Sequence, residues 1–131
     1  MLMRDFRKLE VWIQSLEFVK KVYHVSQSYP GNEQFGLISQ INRSVISIPS
    51  NIAEGCSRKT ATEFSRFLEI AIGSAFELET QIEISYLLFY IKIDVYQEIL
   101  QDLHSIQKRI HALKKSIHTS NLSLKKPKGL L

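Results

Sequence analysis

Apolar residues recur every three or four positions along most of this chain, a spacing that predicts helices. The first helix, about residues 5–28, carries Phe6, Leu9, Trp12 (or Ile13), Leu16, Val19 and Tyr23 as its stripe. The segment "SYPGNEQ" breaks that pattern with Pro30, Gly31 and Asn32. The second helix, about 33–55, runs through Leu37, Ile38, Ile41, Val45, Ile48 and Ile52. Its opposite side gathers Arg43, Ser47, Ser50 and Glu54, flanked by Gln40, Ser44 and Asn51. Both faces continue across Pro49. The pattern therefore predicts one helix, kinked where the proline ring meets the Val45 carbonyl and removes a hydrogen bond. Gly55 reads as its left-handed C-terminal cap.

Thr60-Ala-Thr-Glu63 is a capping box that opens a third helix over about 60–92. Its stripe is Phe64, Phe67, Ala71, Ala75, Leu78, Ile82, Ser85 and Phe89. From Ile82 onward Ile84, Leu87, Leu88 and Ile91 are apolar on other faces as well, more than one core requires. That excess predicts a second buried surface, most simply a contact with another subunit. A second capping box, Asp94 to Gln97, starts a fourth helix over about 94–118, with Val95 (or Tyr96), Ile99, Leu103, Ile106, Ile110, Leu113 and Ile117 inward. Four long helices with three short connections make the fold class all-α, an up-down-up-down antiparallel four-helix bundle over residues 1–118. Residues 119–131 lose the periodicity and read as a flexible basic tail.

Charge changes this picture at one end only. Up to residue 102 the chain holds ten Lys/Arg and all thirteen Asp/Glu; beyond it come seven cations and no acid. The net +4 therefore belongs to the fourth helix and tail. A single cysteine, Cys56, forbids an intrachain disulfide and suits a reducing cytoplasm. "MLMRDFRKLE" has no secretory character, and the longest apolar run, residues 84–93, contains Lys92 and falls far short of the ~20 residues that span a bilayer. No membrane association is expected.

Three stretches, "FRKLEVWIQSLEFVKKVY", "FGLISQINRSVISIPSNIAEGCSR" and "FSRFLEIAIGSAFELETQIEI", resemble a bacterial four-helix-bundle family. Its members were first noticed as proteins encoded by intervening sequences within large-subunit ribosomal RNA genes and often carry the label S23 ribosomal protein. The accessory protein of diversity-generating retroelements is a relative. The resemblance covers roughly residues 6–118. It rests on Arg43, Ser47, Pro49, Asn51, Glu54, Gly55, Arg58, Gly73, Ser74, Glu77, Leu78, Glu79 and Thr80, with Ser44-Val45 standing where the family often has two small apolar residues. It implies a homopentameric ring; no enzymatic activity is established for the family, so the chain is expected not to be an enzyme, and no cofactor is expected. In the retroelement branch it implies nucleic-acid and reverse-transcriptase binding.

The residues themselves suggest little chemistry. Arg43, Asn51, Glu54 and Arg58, with Glu77 and Glu79 as acidic partners, read as a hydrogen-bonded network that satisfies the opened backbone and shapes an interface. The third-helix glutamates lack the histidines of a di-metal bundle, so no metal is expected. His104, His111 and His118 recur every seven residues, about 10.5 Å of rise, too far to share one ion. They form one flank of the fourth helix beside Lys108 and Lys115. No nucleophile context or phosphate loop is present.

The functional lead is the basic end: Lys108, Arg109, Lys114, Lys115, Lys125, Lys126 and Lys128, expected to bind RNA or DNA backbone without sequence preference. The alternative is a protein-interaction scaffold that recruits its partner through Leu87, Leu88 and the SIPSNIAEG surface.

Overall fold

The computed structural model describes the backbone of residues 5–130, with side chains described from Asp5 to His118. Leu9 is extended (ψ 121°) and divides the first predicted helix into a 3-10 turn, Phe6–Lys8, and α1, Glu10–Ser26. A second 3-10 turn, Gly31–Glu33, precedes α2, Leu37–Cys56. Then follow α3, Ala61–Leu87, and α4, Ile93–Leu130. These form the predicted up-down-up-down bundle, with no strand among the described residues. α4 continues as helix past His118, and the side chains of 119–131, with Lys125, Lys126 and Lys128, lie outside the described residues.

The core is built from the predicted stripes of three helices. Ile41, Val45, Ile48 and Ile52 of α2 are fully buried, as are Phe64, Ala71, Ala75 and Leu78 of α3 and Ile99, Leu103, Ile106 and Ile110 of α4. Each large side chain so buried stabilises the fold by about 1.5–3 kcal/mol relative to exposure. The first helix departs from its expected stripe. Val11, Ser15, Phe18, Val22 and Ser26 face the core, while Leu16 and Tyr23 are exposed. Ser15 and Ser26 hold core positions because their hydroxyls bond locally, to the Val11 carbonyl at 2.6 Å and the Tyr23 carbonyl at 3.1 Å. Buried serines hid the true core face behind a more apolar one.

Thr60 caps α3 as its box predicts, its hydroxyl accepting the Glu63 N–H at 3.1 Å. Gly55 does something else than expected. It lies inside α2, no glycine among the described residues has positive φ, and the helix runs one residue further to Cys56. A β-carbon at 55 would stand 2.8 Å from Phe64 Cδ1 and 3.0 Å from Phe67 Cβ. Glycine is needed there so that α3 can cross close over α2. α2 passes unbroken through the buried Pro49, which withholds the N–H that the Val45 carbonyl would accept. Cys56, beside this crossing, is buried.

The α3–α4 connection also differs. α3 ends at Leu87 because Phe89 takes a left-handed conformation, φ 63°. Phe89, read from its spacing as core, is 93% exposed. α4 begins at Ile93, which puts Asp94 in the first turn, where a negative charge favours the helix dipole. Tyr96 then ties α4 to α3 by donating to Glu83 while its ring stacks on Tyr86. That bond, with desolvation behind it, pushes the Tyr96 hydroxyl up to about 12.

Candidate functional site

The polar face of α2 meets α3 through small side chains. Ser47 and Ser74 hydroxyls lie 2.7 Å apart, and Asn51 donates back to the Ser47 carbonyl (2.8 Å) and hydroxyl (2.9 Å). Ser44 donates to Glu77 at 2.7 Å. The sequence grouped Arg43, Asn51, Glu54, Arg58, Glu77 and Glu79 as one network; the structure divides it. Glu77 is held by Ser44, and Glu79 turns to α4, where Gln107 (3.0 Å) and His104 (3.3 Å) reach it. Arg58 pairs with Glu54 of its own segment at 2.7 Å and lies over the Phe67 ring at 4.7 Å. Arg43 is exposed and makes no ion pair among the described residues. The arrangement joins two helices and contains no nucleophile–base pair. Among the described residues no group of three or more His, Cys, Asp or Glu is placed to hold a metal ion.

Helical geometry sorts the cations of α4. Lys108 and Lys115 lie opposite the Ile99–Leu103–Ile110 stripe and are exposed. His104 and His111 flank them on the side of α3, and no acid follows Asp102. Gln101, His104, Ser105, Lys108 and Arg109 line a shallow hollow of about 480 Å³. Other side chains of α4 also make contacts within the subunit. Lys114 pairs with Glu69 at 2.8 Å, and that hydrogen bond and charge hold the Glu69 carboxyl below its ordinary range. Arg109 reaches Glu10 at 3.5 Å. His118 meets Ser65 at 3.2 Å, so the three histidines do not converge.

Two apolar surfaces along the helices stand unmatched among the described residues. On α3 the side facing directly away from the core carries Ile70, Gly73, Phe76, Thr80, Ile84 and Leu87. Nothing lies within 4 Å of where a Gly73 β-carbon would be, although mid-helix glycine costs about 0.5–1 kcal/mol relative to alanine. On the other side Phe6, Trp12, Leu16, Val19, Ile46 and Pro49 line a groove of about 330 Å³ between α1 and α2. Much of the first helix's expected core stripe is thus surface. Leu87 and Leu88 are exposed, as the scaffold alternative requires. Phe35, 92% exposed before α2, belongs to no helical stripe; it follows the break at Pro30, Gly31 and Asn32.

The chain's likeness to known proteins accords with this geometry. A family model described as 23S rRNA-intervening sequence protein matches residues 7–112. A protein of unknown function from the S23 ribosomal protein family of Bacteroides thetaiotaomicron has a similar solved structure. It is 29% identical with a TM-score of 0.74, and the match covers 80% of this chain and 98% of the other. No curated protein matches. No helix among the described residues is long and apolar enough to cross a membrane.

Proposed function

The chain belongs to the 23S rRNA-intervening sequence protein family, and from that premise we propose that it is a non-enzymatic subunit of a homopentameric ring that holds RNA or DNA backbone on its fourth helix. The observation that carries the proposal is the outward face of α4, where Lys108 and Lys115 are exposed beside His104 and His111 and the helix itself supplies no acid after Asp102, the nearest being Glu79 of α3 at His104. With Lys114 and Arg109 partly neutralised by Glu69 and Glu10, one subunit offers few phosphate contacts. Repetition around a ring converts weak contacts into useful avidity. The outer face of α3 and the α1–α2 groove supply the assembly: a ridge entering a different surface of the next copy is a head-to-tail contact, the kind that closes into rings. Gly73 lets that neighbour's backbone come close. The ring works in the cytoplasm, where a buried lone thiol stays reduced.

The test is fluorescence anisotropy with labelled single-stranded RNA at about 50 and 200 mM salt, beside light scattering of the free protein. Affinity is expected to collapse across that salt range, as phosphate-driven binding does, and to vanish in Lys108→Glu/Lys115→Glu. The scattering mass is expected at a whole multiple of five chains, falling below five in Ile84→Asp. Binding that ignores salt and survives the charge reversals sinks the nucleic-acid reading, and a monomeric wild type sinks the ring.

A further inference from the structure

The α1–α2 and α3–α4 connections share one end of the bundle and are latched together there. The Tyr90 hydroxyl donates to Glu33 at 2.8 Å, and the Tyr29 and Tyr90 rings meet at 5.2 Å between centroids. From this braced platform two phenyl rings project almost wholly into solvent, Phe35 and Phe89. Phe89 does so at φ 63°, a left-handed conformation that disfavours every residue with a β-carbon and that glycine adopts freely. A bulky apolar residue is therefore held in an unfavourable backbone state in order to face water. Among the described residues nothing covers either ring.

We infer that this end of the bundle pairs with the same end of a second copy about a twofold axis. The platform carries both halves of such a contact. Phe35 is a projecting knob, and at the same end of the bundle Tyr86, Leu87, Phe89, Ile91, Lys92 and Ile93 line an apolar cleft of about 540 Å³, ample for a phenyl ring. An isologous contact uses each feature twice, the knob of each copy entering the cleft of the other. The rim is also self-complementary in charge: Lys92 and Asp94 are both exposed and two residues apart. A twofold axis sets the lysine of one copy against the aspartate of the other. An anionic lipid surface would instead call for a net cationic rim. The exposed parts of Phe35, Leu87, Leu88, Phe89 and Ile93 offer roughly 600–700 Å² per copy, against about 800 Å² per partner in a standard stable interface.

The contact shares Leu87 with the lateral surface but is read separately from it through Phe89 and Lys92, because it doubles whatever lateral assembly exists. Light scattering on the full chain therefore reads it as a factor of two. Phe89→Gly is expected to halve the wild-type mass without lowering the melting temperature of the resulting species, since glycine relieves the left-handed strain. Lys92→Asp is expected to halve it as well, and Lys92→Asp/Asp94→Lys to restore it, a rescue that only reciprocal pairing explains. Equal masses for wild type and Phe89→Gly overturn the inference. So does Phe89-dependent sedimentation with phosphatidylserine vesicles of a protein whose mass is not doubled, which would assign the end to a membrane surface.

Discussion

The α2–α3 seam is closed by residues with almost no side chain, and the α1–α4 seam by some of the longest the chain has. Across the first, Ser47 meets Ser74, Ser44 reaches Glu77, and Gly55 lies under Phe64. Across the second, Lys21 spans to Glu98 at 2.6 Å and Asp102 at 2.7 Å, and Gln14 reaches Ser105 at 3.1 Å. These bridges border a groove of about 570 Å³. Short hydroxyls bond only when backbones are already near, and they give up little rotamer freedom in doing so. Long charged side chains tolerate separation but lose more entropy and remain exposed to salt. The two seams therefore differ in what holds them: packing geometry in one, screened charge in the other.

That contrast can be broken most forcefully at Phe64, fully buried where α3 crosses α2. Phe64→Ala is expected to cost about 3–5 kcal/mol in urea unfolding, and a cost under ~1 kcal/mol would show that the crossing is not the tight contact described. Gly55→Ala tests the same seam from the opposite direction, by adding a methyl where Phe64 and Phe67 leave no room. About 1–3 kcal/mol of destabilisation is expected from such overpacking, whereas a simple helix-propensity effect would make the variant more stable. The smallest effect belongs to the other seam. Lys21→Met should cost no more than ~1 kcal/mol, and the difference from wild type should fade in high salt.

Lys21 also gives the α1–α4 seam a pH signature. Burial works against its charge, but the hydrogen bonds to Asp102 and Glu98 outweigh burial and raise its pKa. A raised lysine contributes stability fully below its unfolded value of about 10.4 and loses it as pH rises through the folded one. The wild-type advantage over Lys21→Met should thus be flat through neutrality and disappear on the alkaline side. An advantage that instead fades in acid would assign it to the carboxylates alone.

How much of this was legible in the sequence depends on which signal each element carried. α2 and α4 announced their core faces because Ile, Leu and Val fill nearly every inward position. α1 did not, because Ser15 and Ser26 occupy core sites with locally bonded hydroxyls, leaving an apolar groove surface as the stronger pattern. The end of α3 was invisible for a different reason. No Gly, Pro or Asn lies between Leu87 and Ile93, so a turn built on a left-handed phenylalanine resembles helix. Gly55 was found as special, but only coordinates distinguish a cap from a close crossing. Arg43 and Arg58 do not meet Glu77 and Glu79 because nearer partners hold both acids and Arg58: Ser44 takes Glu77, Gln107 and His104 take Glu79, and Glu54 takes Arg58.

The burial of Cys56 gives the molecule a clock of its own. It is the chain's single cysteine and sits 3% exposed in the last residue of α2, next to the Gly55–Phe64 crossing. Thiol reagents attack an accessible thiolate, so alkylation here must wait for the end of α2 to part from its surroundings. With no second sulfhydryl to confuse the signal, the labelling rate of the unmodified protein counts those partings directly.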